Sequence, residues 1–239
     1  MDLGRRPRPL AEVSVTDKQA ILLLSGGLDS TTVAGLLRRD GVVIHALSFD
    51  YGQRHQNELD YARAVAQTMA VASHRILKID LGGLGGSALT DTKLAVPESG
   101  VGEGIPITYV PARNTVFLSY ALALAEVLSV ADIYVGVNSQ DYSGYPDCRP
   151  AFIEAFSRLA AVATKLGVEG ESPRIHAPLQ HLRKAEIIRM GLDAGVDYGI
   201  TRSCYQLDAA GRSCGRCDAC RLRLAAFAEL GLPDPAPYV

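Results

Sequence analysis

The chain has no surplus of either charge sign. Its 24 Lys and Arg stand against 26 Asp and Glu, a formal net charge of −2 over 239 residues. That balance argues against a nucleic-acid scaffold, while leaving room for a local basic patch. No apolar run approaches the roughly 20 residues that a membrane-spanning helix needs. The stretch from Met1 to Lys18 carries Arg5, Arg6 and Arg8 but lacks the apolar centre of a secretory leader, so it reads as a loose N-terminal tail. There is no internal repeat, linker or low-complexity tract. Cysteine is scarce, and four of the five lie between Cys204 and Cys220. Too few remain for a disulfide framework, and a cluster of this kind points to metal in a reducing cytoplasm. Hydrophobic content is 48%, which excludes a disordered chain. The length suits one large domain, alone or with an appendage.

Against these absences, one segment stands out. Ser25-Gly26-Gly27-Leu28-Asp29-Ser30-Thr31-Thr32 follows the apolar run Ile21 to Leu24 and opens a helical stretch reaching Arg39. A buried strand, a Gly-Gly turn and a helix start form a ready anion site. Adjacent glycines let the backbone approach a ligand closely. The N–H groups of the helix start then face the anion with the helix dipole behind them. Ser25, Ser30 and Thr31 add hydroxyl donors. The turn has no lysine, and its spacing is not that of the usual ATP/GTP phosphate loop. S-G-G-x-D-S is the mark of the pyrophosphatase-type loop, which grips the β- and γ-phosphates of ATP while chemistry occurs at the α-phosphate. Leu24, Ser25, Gly26, Gly27, Leu28, Ser30, Thr31 and Thr32 are therefore the candidate nucleotide-binding residues. Asp29 is placed either to cap the helix or to orient Mg²⁺.

Elsewhere, short apolar runs alternate with helical patterns. Residues 42–47, 75–79 and 133–137 read as strands, with a short one at 175–177. Residues 57–70, 114–129, 150–166 and 184–194 read as helices. Strand–helix alternation predicts an α/β parallel sheet covered on both faces, spanning residues 19–200. The glycine-rich stretch from Gly82 to about Pro106 is long for a connection, which makes it a candidate lid or substrate loop. Residues 201–239 read as a small metal-binding segment. There Cys204 precedes Cys214-Gly215-Arg216-Cys217-Asp218-Ala219-Cys220. Four thiolates from one segment surround Zn²⁺ tetrahedrally and leave no open position, which makes the metal structural. An iron–sulfur cluster is the rival, though no Cys-Pro follows Cys220. Arg212, Arg216, Arg221 and Arg223 are placed to offset the thiolate charge. Cys148 stands alone and reads as a small buried hydrophobe or a pocket residue.

With both motifs placed, the chain resembles the 7-cyano-7-deazaguanine synthases of queuosine biosynthesis from about Ala20 to Tyr238. The resemblance rests on SGGLDSTT (Ser25–Thr32), ALSFDYGQRH (Ala46–His55) and YVPARNTVFLSYAL (Tyr109–Leu122). It continues through GVNSQDYSGYPDCRP (Gly136–Pro150), KAEIIRMGLDAGVDY (Lys184–Tyr198), SCY (Ser203–Tyr205) and CGRCDAC (Cys214–Cys220). It implies a Rossmann-like adenine nucleotide alpha-hydrolase fold of the PP-loop type. It also implies ATP-dependent conversion of 7-carboxy-7-deazaguanine and ammonia to the nitrile, with ATP as co-substrate, Mg²⁺ on the phosphates, structural Zn²⁺ on Cys204, Cys214, Cys217 and Cys220, and a homodimer.

Lys184 opens a helix, where a cation is unfavourable beside the dipole; reaching an anionic pyrophosphate explains that placement. Arg113 precedes a helix start and suits bidentate contact with a carboxylate or phosphate. Asp29, Lys184 and Arg113 are thus the candidate catalytic residues. Asn138, Asp141, Tyr142, Tyr145 and Asp147 are the candidate substrate-binding residues. Asp141 or Asp147 is suited to read the N–H donors of a guanine-like base, and Tyr142 or Tyr145 to stack on it. His55 either manages protons on ammonium or braces a loop. Transfer-RNA thiolation uses the same phosphate loop, but it calls for a basic RNA surface and a catalytic cysteine pair, and neither is visible here.

Overall fold

The computed structural model describes residues 18–54, 58–98, 104–139 and 144–239. The expected N-terminal tail, His55, Asp141 and Tyr142 lie outside the described residues. Strands β1 (Gln19–Leu23), β2 (Val43–Asp50), β3 (Ser73–Lys78), β4 (Asp132–Tyr134) and β5 (Arg174–His176) form one sheet in the order β3-β2-β1-β4-β5. Every neighbouring pair is parallel. The strand order reverses at β1, and open parallel sheets bind ligands beyond the carboxyl ends of the strands at such a point.

The strands carry apolar residues on both faces, as a doubly covered sheet requires. Side chains alternate along β1, so Ala20 and Leu22 enter one apolar cluster while Ile21 and Leu23 enter the other. The first face is covered by α1 (Leu28–Arg39), α2 (Glu58–Thr68), α6 (Lys184–Asp193) and α7 (Asp218–Glu229). The second is covered by α3 (Arg113–Leu128) and α4 (Pro150–Ala163). A short helix, α5 (Lys165–Val168), extends α4 after a break at Thr164.

The element types follow the sequence pattern, with shifted ends. The first helix starts at Leu28, four residues before the Thr32 start expected from sequence, because the glycine turn ends there. Strand β4 stops at Tyr134 although the apolar run continues to Val137: Val135 still donates to His176 O, but beyond it the chain turns into the site. The cysteine-rich segment carries a helix, α7, that no strand–helix alternation announced. Its Ala226 and Phe227 are buried in the same cluster as α1, so the segment is packed onto the body.

Candidate active site

The glycine turn lies immediately beyond β1. Gly26 has φ +79°, a left-handed conformation, and Gly27 precedes α1 in extended backbone. Gly26 packs so closely on α2 that a Cβ there would come within 2.5 Å of the Ala62 backbone nitrogen. Hydroxyls gather over the turn. Ser25 Oγ and Ser30 Oγ are 3.0 Å apart, and the amides of Ser25 and Gly27 donate to Ser30 Oγ (3.2 Å) and Ser25 Oγ (3.3 Å). The Leu28 amide donates to Ser203 Oγ at 3.4 Å, a residue 175 positions away. Arg202 N–H donates to Gly26 O at 3.2 Å, so the cysteine segment braces the turn from below.

Asp29 does not cap α1. It sits within the first turn, and both its oxygens accept from Lys184 Nζ at 2.9 Å. Lys184 opens α6 as expected, and its side chain is only 15% exposed. Thr31 and Thr32 are placed differently from the serines of the turn. Thr31 Oγ1 donates to Gly27 O (2.8 Å) and Thr32 Oγ1 to Leu28 O (2.9 Å), the latter also bonding Tyr198 OH. Both side chains are fully buried and their hydroxyls turn into the helix.

A cavity of about 350 Å³ opens from this turn across the carboxyl ends of β1, β2 and β4. Leu24, Ser25, Gly27, Leu28, Asp29, Ser30, Lys184, Arg113, Asn138 and Tyr145 line it, so most of the residues singled out by sequence converge on one space. Asn138 Nδ2 donates to Leu179 O and Leu182 O and thereby holds the turn that leads to Lys184. Tyr145 OH bonds Thr108 Oγ1 at 2.8 Å. Asp147, like Gly26, Thr31 and Thr32, does not line the cavity. Its carboxylate accepts the Asn114 amide at 2.9 Å and is 4% exposed, so it is spent on fastening the start of α3.

Three lining residues were not among the candidate site residues: Glu58, and Ser203 and Tyr205, which entered only through the SCY motif. Glu58 is an ordinary first-turn acid in sequence, and Ser203 and Tyr205 merely flank Cys204. Inside the cavity, burial pushes the Glu58 carboxyl up to about 7 against the opposing charge of Arg113. The residue as a whole is half-buried. Tyr51 is pushed up to about 12, by burial first and Glu58 second. Burial works against the charge on Arg113, but Tyr51, Cys148, Tyr145 and Asp147 around it raise its pKa and keep it cationic. Cys148 borders the cavity with its thiol pushed up to about 11 by burial, which leaves it an uncharged wall.

The four clustered sulfurs lie within 4.8 Å of one another. A tetrahedral site with metal–sulfur bonds of about 2.3 Å has sulfurs about 3.8 Å apart, so the spacing fits one ion. Cys214 and Cys220 are 4.0 Å apart. Hydrogen bonding among these thiols pushes Cys217 down and Cys204 and Cys220 up, so the group acts as one coupled set. The expected arginine neutralisation is not what the structure shows. Arg223 pairs with Asp234, Arg212 with Asp208 and Arg216 with Glu98. Backbone amides do that work: Gln206 and Cys214 donate to Cys204 Sγ, and Arg216 and Cys217 to Cys214 Sγ.

A model of the family described as "Queuosine biosynthesis protein QueC" matches residues 19–231. The chain belongs to this family. It is 62% identical over 224 residues to the 7-cyano-7-deazaguanine synthase of Azotobacter vinelandii, covering 94% of this chain and 100% of the relative. It is 60% identical to the Pseudomonas aeruginosa protein of that name over the same shares, and 56% identical to that of Pseudomonas syringae over 96% and 100%. Among solved structures, a 4-thiouridine synthetase–RNA complex with bound ATP superposes with a TM-score of 0.50 at 20% identity. That match covers 92% of this chain and 47% of the other, and it speaks for the fold. Among the described residues, no helix is long and apolar enough to cross a membrane.

Proposed function

We propose that this chain is a 7-cyano-7-deazaguanine synthase, converting 7-carboxy-7-deazaguanine, ammonia and ATP to the nitrile. The observation that carries the reading is the full-length relation to proteins of that name, at 62% identity. The convergence of phosphate turn, Lys184 and Arg113 on one cavity supports it.

The chemistry needs activation because hydroxide and oxide are poor leaving groups. The substrate carboxylate attacks the α-phosphorus of ATP and pyrophosphate leaves. Ammonia attacks the resulting acyl adenylate, AMP leaves and a proton is shed, giving the amide. The amide oxygen then attacks a second ATP, again releasing pyrophosphate. Loss of AMP and the nitrogen-bound protons leaves the nitrile. In this reading the amides of Gly27 and Leu28, with the hydroxyls of Ser25 and Ser30, receive the pyrophosphate charge as it develops. Lys184 adds a cation there, and Asp29 fixes its ammonium. Arg113 presents its fixed N–H donors to the substrate. Mg²⁺, held by the phosphates with Asp29 at hand, would supply further neutralisation. Zn²⁺ on Cys204, Cys214, Cys217 and Cys220 would serve structure alone. A cytoplasmic homodimer completes the reading.

A single site performs both activations, since one phosphate turn and one cavity serve acid and amide alike. The test supplies synthetic 7-amido-7-deazaguanine with ATP and no ammonia. The nitrile should form with one ATP consumed per product. Failure to convert the amide, with the acid still active in parallel, would overturn the single-site scheme.

A further inference from the structure

The cavity holds more than an ATP grip and an arginine. Among the described residues its carboxylates are Asp29, Glu58 and Asp218. Asp29 is bound by Lys184 through both oxygens. Asp218 lies in the first turn of α7, beside Cys217. Asp147, a carboxylate that sequence placed at the base, fastens Asn114 instead. Glu58 remains. It opens α2, where the helix dipole favours an anion, and no described residue donates a hydrogen bond to its carboxyl. The counter-charge that acts on it is Arg113, which lines the same cavity.

We propose that Glu58 and Arg113 together recognise the pyrimidine edge of a guanine-type base, Glu58 accepting from the ring N–H and exocyclic amine and Arg113 donating to the neighbouring exocyclic carbonyl oxygen. This deepens the synthase reading above and rests on it. A guanine-type edge presents one acceptor beside two donors. An arginine beside a carboxylate presents the complement, donors beside acceptors. An adenine-type edge offers an amine where Arg113 needs an acceptor, so the pair discriminates against it. The walls suit a flat ring. Phe117 stacks on Phe49 at 4.1 Å between ring centres with 6° between planes, and Tyr51 meets Phe117 edge-on at 5.4 Å. All three border the cavity. Burial that raises the empty Glu58 carboxyl is offset once two N–H donors arrive, because hydrogen bonds to the charged form favour it. Ligand binding thus favours the charged carboxyl.

The test measures dissociation constants by calorimetry on the full chain without ATP. The ligands are 7-carboxy-7-deazaguanine and its analogue lacking the exocyclic amine. Wild-type protein should bind the complete ligand at least about a hundredfold more tightly, since a site built to bond a polar group strongly rejects a ligand without it. Glu58→Gln should bind both ligands weakly and alike, with its melting temperature recorded to confirm folding. Equal wild-type affinity for the two ligands would overturn the proposal and needs no variant to fold. So would Glu58→Gln that keeps wild-type affinity but loses turnover with a changed ammonium dependence, which would make Glu58 a proton acceptor for ammonium. Nitrile formation is followed in the same preparations. Discrimination without any nitrile would overturn the synthase reading and leave the edge recognition standing.

Discussion

Gly26→Ala and Gly41→Ala separate backbone strain from lost space at the phosphate turn. Both glycines are left-handed, Gly26 at φ +79° and Gly41 at φ +69°. An alanine in that conformation costs about 1–2 kcal/mol. At Gly41 nothing lies within 4 Å of an added Cβ, so strain is the whole effect. At Gly26 the Cβ would stand 2.5 Å from Ala62 N, 2.8 Å from Tyr61 C and 2.9 Å from Tyr61 Cβ. Two of these atoms are helix backbone, which cannot swing aside. Restoring ordinary contact requires the turn to retreat by about 1 Å. Overpacking of this kind adds about 1–3 kcal/mol. A 1 Å misplacement of a positioning group costs roughly a hundredfold in rate. Gly41→Ala should therefore lower the melting temperature by about 2–8 °C and leave turnover within about twofold. Gly26→Ala should melt at or below that point and lose about a hundredfold or more in kcat/KM, with weaker binding of a non-hydrolysable ATP analogue. The assay pairs thermal melting with pyrophosphate release. Gly26→Ala with wild-type turnover, or equal activity loss in both variants, would refute the argument from space.

Elemental analysis should find one zinc per chain in the wild type and its loss in Cys217→Ser, together with lower stability, because metal binding is coupled to folding; stoichiometric iron with a brown colour would refute the zinc assignment. The ion pair of Arg223 and Asp234, with side chains 3% and 1% exposed, gives a second stability prediction. Asp234→Ala strands a buried guanidinium and should cost about 3–5 kcal/mol in denaturant unfolding, whereas Arg223→Met with Asp234→Leu should recover most of it. The same pair sets an acid dependence. Burial alone would raise the Asp234 pKa, but hydrogen bonds from Arg223 and Tyr238 outweigh it and hold it below its ordinary value. Its contribution is therefore complete above the unfolded value of about 3.9 and is lost as pH falls through the lower native value. The acid limb of the stability profile should be shallower in Asp234→Ala.

The sequence by itself determined the local chemistry. Strand–helix alternation, the S-G-G-x-D-S turn and the cysteine spacing depend on neighbours within a few residues, and all are visible in order along the chain. The strands and helices that cover both faces could be placed within a few residues, because apolar periodicity records which faces are buried. Partners distant in sequence were decided only by the tertiary structure. Lys184 meets Asp29 across 155 positions, and Ser203 meets Leu28 across 175. Neither pairing leaves a trace in local pattern. The same holds for the residues whose polar atoms are already engaged. Thr31 and Thr32 turn their hydroxyls into α1, and Asp147 is committed to Asn114. A polar side chain has few hydrogen-bonding positions, and the fold decides whether they serve the backbone or a ligand. Glu58 shows the converse: residue type and helix position made it unremarkable, and only the closure of α2 and α3 around one cavity left its carboxyl facing Arg113.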